Sequence, residues 1–234
     1  MPDKQIIVTG ASKGIGAAIA IELDRRGHNV VCLSRSGDAP AGVGLVCDMT
    51  DEESVRTIIA KVAANGSVSG LVNNAGVHIG GPTATLPTAE YESVMSLNAT
   101  AILVASREAY PHLKASGGSI INLGSFFDKM GVPDSLAYCA SKAAVAAMTR
   151  CMAVEWAADG ISVVNVAPGY IETDLNRDFL GRGKVRQWMA SRVPVGRPGT
   201  PEEVARFVAA ILGEKIPYLT GETVYVDGGH GMNH

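Results

Sequence analysis

The chain has 234 residues, 20 Lys and Arg against 23 Asp and Glu, a formal net charge of −3 and a hydrophobic share of 47%. That length suits one sizeable core and is short for two, so a single domain over residues 1–234 is expected. The charge leaves no basic footprint for nucleic acid, the opening apolar run is too short for a signal-peptide core and no apolar run approaches ~18 residues, which points to a cytoplasmic protein with no membrane partner.

The first predicted strand, "QIIVTG", ends at Thr9, and Gly10, Gly14 and Gly16 follow as a helix over 14–27 begins. Glycine in such a turn lets backbone N–H groups and the positive helix N-terminus approach a pyrophosphate. The spacing differs from G-x-G-x-x-G, and no G-K-[ST] follows, which disfavours a P-loop NTPase. The second strand, "NVVCLS", ends at Ser34 with Arg35 next, and the third, "VGLVCD", leads through Asp48 and Met49 to a helix over 51–65 opened by Thr50. After the fourth, "GLVNNAG", a helix over 88–115 carries Asn98 within the apolar run "SVMSLNATAILVAS", where an amide is costly unless paired. The fifth, "GSIINLGS", reaches Ser125 ahead of a helix over 137–158. The sixth, "ISVVNVAPG", gives way to residues 172–199, rich in charge, Gly and Pro and read as a mobile lid. A helix over 201–212, opened by Thr200 and Pro201, and the strand "TVYVDGG" close the series.

These strands are continuous apolar runs, not alternations, as in a parallel sheet covered by helices on both faces. The fold expected is therefore α/β: a doubly wound Rossmann fold on a mostly seven-stranded parallel sheet. Cys32, Cys47, Cys139 and Cys151 show no C-x-x-C spacing and are expected as buried, reduced thiols. The five histidines lack ligand spacing, so no metal site is expected.

Tyr138 and Lys142 stand four apart in an otherwise apolar helix, which puts both on one face with roughly 6 Å between Cβ atoms. A neighbouring ammonium favours the phenolate, by at most roughly 4 kcal/mol at ~4 Å and an effective dielectric of about 20. The expectation is a tyrosine tuned downward for proton transfer. Ser125 in "LGSFFD" lacks the G-x-S-x-G elbow of a serine hydrolase.

Taken together, Thr9-Gly10…Gly14…Gly16, Asn73-Asn74-Ala75-Gly76, Asn98, Ser125, Tyr138 with Lys142, "APGYIETDL" and "LTGETVYVDGG" resemble the short-chain dehydrogenases/reductases from about residue 5 to 229. The resemblance, nearest to the 3-oxoacyl-carrier-protein reductase branch, implies hydride transfer between a nicotinamide cofactor and a carbonyl or secondary alcohol of a small substrate. Alternatives are carrier-protein reduction in fatty-acid synthesis, sugar or polyol oxidation, and a catalytically silent NADP(H) sensor. The resemblance implies Tyr138 as proton donor and acceptor, Lys142 as its electrostatic partner and ribose ligand, and Ser125 as hydrogen-bond donor to the substrate oxygen. It also implies Asn98 at a kink, linked to Lys142 by water. Cofactor contacts are expected from Gly10, Ser12, Lys13, Gly14, Ile15, Gly16, Ser34, Arg35, Asp48, Met49, Asn74, Ala75, Gly76, Tyr138, Lys142, Pro168, Gly169, Ile171 and Thr173. Phe126, Phe127 and Tyr170 would shape the substrate pocket with Ser125 and Tyr138. Ser34 stands where NAD-dependent relatives place an aspartate, and Lys13 and Arg35 add two cations, which favours the 2′-phosphate of NADP(H) over NAD(H). Relatives are usually tetramers, so a homotetramer is expected.

Overall fold

A computed structural model describes residues 4–174, 176–214 and 216–232. Seven strands form one sheet: β1 (Lys4–Thr9), β2 (Asn29–Ser34), β3 (Val43–Val46), β4 (Ser67–Asn73), β5 (Gly118–Leu123), β6 (Ile161–Pro168) and β7 (Thr223–Val226). Their order is β3-β2-β1-β4-β5-β6-β7, and every pairing is parallel. The expected strands are all present, and the doubly wound Rossmann-type fold with them.

The continuous apolar runs follow from burial on both faces. Ile6 and Val8 of β1, Ile121 of β5 and Val164 of β6 point to the layer holding α1 (Gly14–Arg25) and α8 (Pro201–Glu214). Ile7, Ile120 and Val163 point to the other, built from α2 (Glu52–Ala64), α4 (Ala101–Ser116) and α5 (Leu136–Trp156). Alternate residues of one strand thus enter different cores, so no polar face is left to alternate with. The chain leaves β1 toward β2 on one side and returns to β4 on the other, and this reversal opens a crevice at the carboxyl ends of β1 and β4.

Several local expectations are corrected. The cap of α2 is Asp51, whose carboxylate accepts from the N–H groups of Glu53 (3.0 Å) and Ser54 (3.3 Å). Thr50 instead donates its hydroxyl to Asp48 at 2.7 Å, because Asp48 draws it back into a turn before the helix. Thr200 does cap α8: its hydroxyl accepts from Glu203 N at 3.3 Å while the Glu203 carboxylate accepts from Thr200 N at 2.9 Å. The single helix expected over 88–115 is α3 (Thr88–Met95) and α4 separated by a π turn, Ser96–Thr100. Residues 172–199 contain α6 (Arg177–Leu180) and α7 (Gly183–Arg192), anchored by a small cluster of Leu180, Met189 and Val193 beside Tyr170. Cys32 and Cys47 are buried, but Cys139 is half-buried and Cys151 exposed, because the face of α5 that carries Cys151 and Val154 is not covered.

Among the described residues no helix is long and apolar enough to cross a membrane, and no group of side chains is arranged to hold a metal ion.

Candidate active site

The crevice is shaped first by backbone. Gly10 and Gly14 hold φ of +63° and +59°, turning the chain from β1 into α1. A Cβ on Gly16 would clash with both the Gly10 carbonyl and Asn74 Nδ2, so only glycine lets helix and turn close together. A Cβ on Gly14 would meet only Thr173 Cγ2 at 3.7 Å, which leaves the turn open toward the cavity. Helix α1 begins at Lys13 without a side-chain cap or an acid in its first turn, so its N-terminal N–H groups can receive a phosphate. These residues fit a dinucleotide.

Thr9 and Asn74 explain why the two motif segments occur together. Thr9 Oγ1 accepts from the backbone N–H groups of Asn74 (3.0 Å) and Ala75 (3.1 Å), while Asn74 Nδ2 donates to the carbonyls of Thr9 (3.0 Å) and Gly10 (3.1 Å). The glycine-rich turn is fixed to the end of β4. Asn73 points the other way, donating to Asn122 at 2.9 Å and Ser106 at 3.0 Å inside the core.

Lys13 in the turn after β1 and Arg35 at the end of β2 are exposed and, among the described residues, in no ion pair. Ser34 is buried, and its hydroxyl accepts from Gly37 N at 3.0 Å and faces Ser36 at 3.3 Å. Asp48 accepts from Thr50 twice and is held below the usual carboxylate range by those bonds, with Arg35 contributing. Met49 is buried with Cys47, leaving its backbone for any contact with a cofactor.

Deeper in, a cavity of about 440 Å³ is lined by Ile15, Asn74, Gly76, Ser125, Tyr138, Lys142, Pro168, Gly169, Ile171 and Thr173, and walled by Phe126, Phe127, Tyr170 and Leu180. Five segments distant in sequence meet there. Of the expected cofactor contacts, Gly10, Ser12, Lys13, Gly14, Gly16, Ser34, Arg35, Asp48, Met49 and Ala75 do not line it. The sequence reading did not single out Val77, His78, Leu123, Asn176 or Leu180, which also line this cavity. Asn176 was legible in principle, since its carboxamide oxygen accepts from Thr173 N at 2.7 Å in a short polar turn.

The proton-handling groups are close together. Lys142, 5% exposed, donates its ammonium to the Leu123 carbonyl at 2.7 Å and lies 5.5 Å from the centre of the Tyr138 ring. Burial pulls its pKa down to about 8. Burial pushes the Tyr138 phenol up, opposed by a hydrogen bond from Ser125. The downward tuning expected from Lys142 is therefore absent in this geometry: the ammonium faces a carbonyl, and desolvation of the phenolate dominates.

Asn98 is fully buried in the π turn that separates α3 from α4. Its Oδ1 accepts from Val77 N at 2.8 Å, and its Nδ2 donates to the Val77 carbonyl (2.8 Å) and to Ser141 Oγ (3.1 Å). The amide is satisfied by protein alone, and it fixes the strand of chain that follows Gly76 against α5. A π turn recurs at functional sites because it re-aims one turn of backbone.

A family model described as enoyl-(acyl carrier protein) reductase matches residues 10–231. A 3-oxoacyl-[acyl-carrier-protein] reductase of Mycobacterium tuberculosis is 36% identical over 99% of this chain and 94% of its own length. A glucose 1-dehydrogenase of Gluconobacter oxydans is 33% identical over 97% of this chain and 91% of its own. Among solved structures, a gluconate 5-dehydrogenase from Burkholderia cenocepacia in complex with NADP and tartrate superimposes with a TM-score of 0.91 at 28% identity, covering 100% of this chain and 97% of that one. A shared ordered set of motifs, one fold and a full-length match lead to one conclusion: the chain belongs to the short-chain dehydrogenases/reductases, oxidoreductases that use a nicotinamide dinucleotide and act on CH–OH groups.

Proposed function

We propose that the protein is an NADPH-preferring reductase of a small free carbonyl compound, working reversibly on the matching secondary alcohol. The observation that carries the reading is the convergence of Tyr138, Ser125 and Lys142 in one cavity beside the glycine-lined turn. When bound, the nicotinamide supplies or accepts the hydride. Tyr138 gives its phenolic proton to the substrate oxygen as negative charge develops there, and takes it back in oxidation. Ser125 donates a hydrogen bond to the same oxygen. Lys142, held by the Leu123 carbonyl, is the nearest cation and binds ribose hydroxyls. Asn98 positions the Gly76–Val77 backbone and Ser141 behind them.

Phosphate preference rests on Lys13 and Arg35, exposed beside a β2 end that presents Ser34 and no carboxylate. The test is the ratio of kcat/KM for NADPH over NADH, in wild type and in the Ser34→Asp, Arg35→Ser double variant. A ratio above one that inverts in the variant supports the reading, and wild-type preference for NADH overturns it.

Free substrates are favoured over carrier-bound ones by the scarcity of cations in the stretches just before β5 and at the end of α5. Lys114 is the one cation in "KASGGS" and "EWAADG", and it is paired with Asp159 at 2.8 Å. Sugar or polyol oxidation is a second reading, favoured by the glucose and gluconate dehydrogenases among the relatives. A homotetramer is supported by apolar side chains left exposed on α4 and α5, Leu103 at 47% and Val154 at 83%. A monomer by light scattering would contradict it.

A further inference from the structure

Two polar side chains of the cavity lining belong to neither the proton-transfer set nor the cofactor set: Asn176, whose amide bonds Thr173 N and the Ile171 carbonyl, and His78, five residues beyond the end of β4. Its ring meets Tyr138 edge-on, with centroids 4.9 Å apart and planes at 76°. Its Nε2 lies 3.1 Å from Ser135 Oγ, and Ser135 Oγ lies 3.3 Å from the Pro133 carbonyl. We assign the Ser135 hydroxyl proton to the Pro133 carbonyl, which only accepts, and the imidazole proton to Nε2, so that both contacts are hydrogen bonds and the serine oxygen accepts from His78 Nε2–H. Nδ1 is then a bare acceptor, and among the described residues it has no partner.

The arrangement is built and comes at a local cost. Ser135 is the residue before α5, where a serine ordinarily accepts from the first N–H groups of its helix, yet it makes no such bond. Its hydroxyl is turned to the histidine and to Pro133 instead. The two loops are fastened a second time by Gly81 N–H donating to the Asp134 carbonyl at 2.8 Å, with Asp134 at a φ of +58°. The imidazole is thereby fixed before substrate arrives, which lowers the ordering cost of a contact to it. Burial lowers its pKa, so near neutrality the ring is uncharged. A neutral acceptor pairs with a neutral donor and does not attract a carboxylate or phosphate.

The geometry points to His78 as a specificity-determining residue that accepts a hydrogen bond from a substrate hydroxyl adjacent to the reacting carbon, selecting hydroxy-ketones and the matching vicinal diols. Phe126, Phe127, Tyr170 and Leu180 supply the apolar remainder of the wall. This inference rests on the proposed hydride transfer at Tyr138.

The test compares butanone with acetoin, which has the same carbon skeleton and one added hydroxyl, using full-length enzyme with NADPH and with NADH. The reading is the ratio of kcat/KM for acetoin over butanone, so that intrinsic reactivity cancels between variants. His78→Leu should lower this ratio about 10-fold, the worth of one neutral hydrogen bond. Ser135→Ala, which frees the imidazole to take either tautomer, should lower it in the same direction by a smaller factor. NADPH binding followed by fluorescence should be unchanged in both. Equal losses on the two ketones would mean that His78 only packs against Tyr138, and no change in the ratio would mean that it reads nothing; either overturns the inference and leaves the proposed function standing. A wild type that reduces neither ketone with either cofactor would overturn both.

Discussion

Lys142 sets a functional charge against the stability of the fold. Desolvation holds it at about 8 in the folded chain, whereas an unfolded lysine titrates near ~10.4. Below the folded value both states carry the proton, and the cost of burying the charge is constant. Between the two values the unfolded chain binds more protons, so this group makes stability rise with pH. Replacing it by methionine removes that dependence. The unfolding free energy of wild type minus that of Lys142→Met should increase by about 1–3 kcal/mol between about pH 7 and 10 in urea titrations. Taking the difference cancels the opposing trend from Cys32, which burial raises to about 11, and from Cys47, also raised. A gap independent of pH would show that the ammonium is not desolvated as described.

The glycine turn and the π turn are the elements on which the site depends. In Gly16→Ala the new methyl would meet the Gly10 carbonyl, a backbone atom that cannot turn aside. The variant should lose about 1–3 kcal/mol of stability and bind NADPH at least ~10-fold more weakly. Gly131→Ala, with nothing within 4 Å of the added atom, should match wild type in thermal unfolding and fluorescence titration. Equal behaviour of the two variants would contradict the close turn.

The strands, the main helices and the Tyr138–Lys142 spacing were legible because local pattern encodes them. What sequence did not reveal was set by tertiary contact. The π turn is fixed by Asn98 reaching Val77 and Ser141. Helix α7 is too polar to show a periodicity, with Met189 its only buried residue. The upward shift of Tyr138 depends on where the Lys142 ammonium points, which spacing alone does not fix. His78 acquires meaning only once Ser135 is brought beside it.

Across the whole molecule, surface charge bears on the size of substrate. With Lys114 committed to Asp159 and Glu155 nearby, an acidic carrier protein meets no free cation in those two stretches. A small thioester should be reduced with at least the kcat/KM of the same acyl group on carrier protein, and added salt should change the comparison little. A carrier preference that weakens with salt would reverse that reading. The central claim, that Tyr138 moves the proton that accompanies the hydride, is tested most directly by the rate of NADPH oxidation in wild type and in Tyr138→Phe, each first shown to bind NADPH. The account predicts a kcat at least ~10²-fold lower in the variant with cofactor affinity retained. Near-normal turnover of any good substrate by Tyr138→Phe would contradict it.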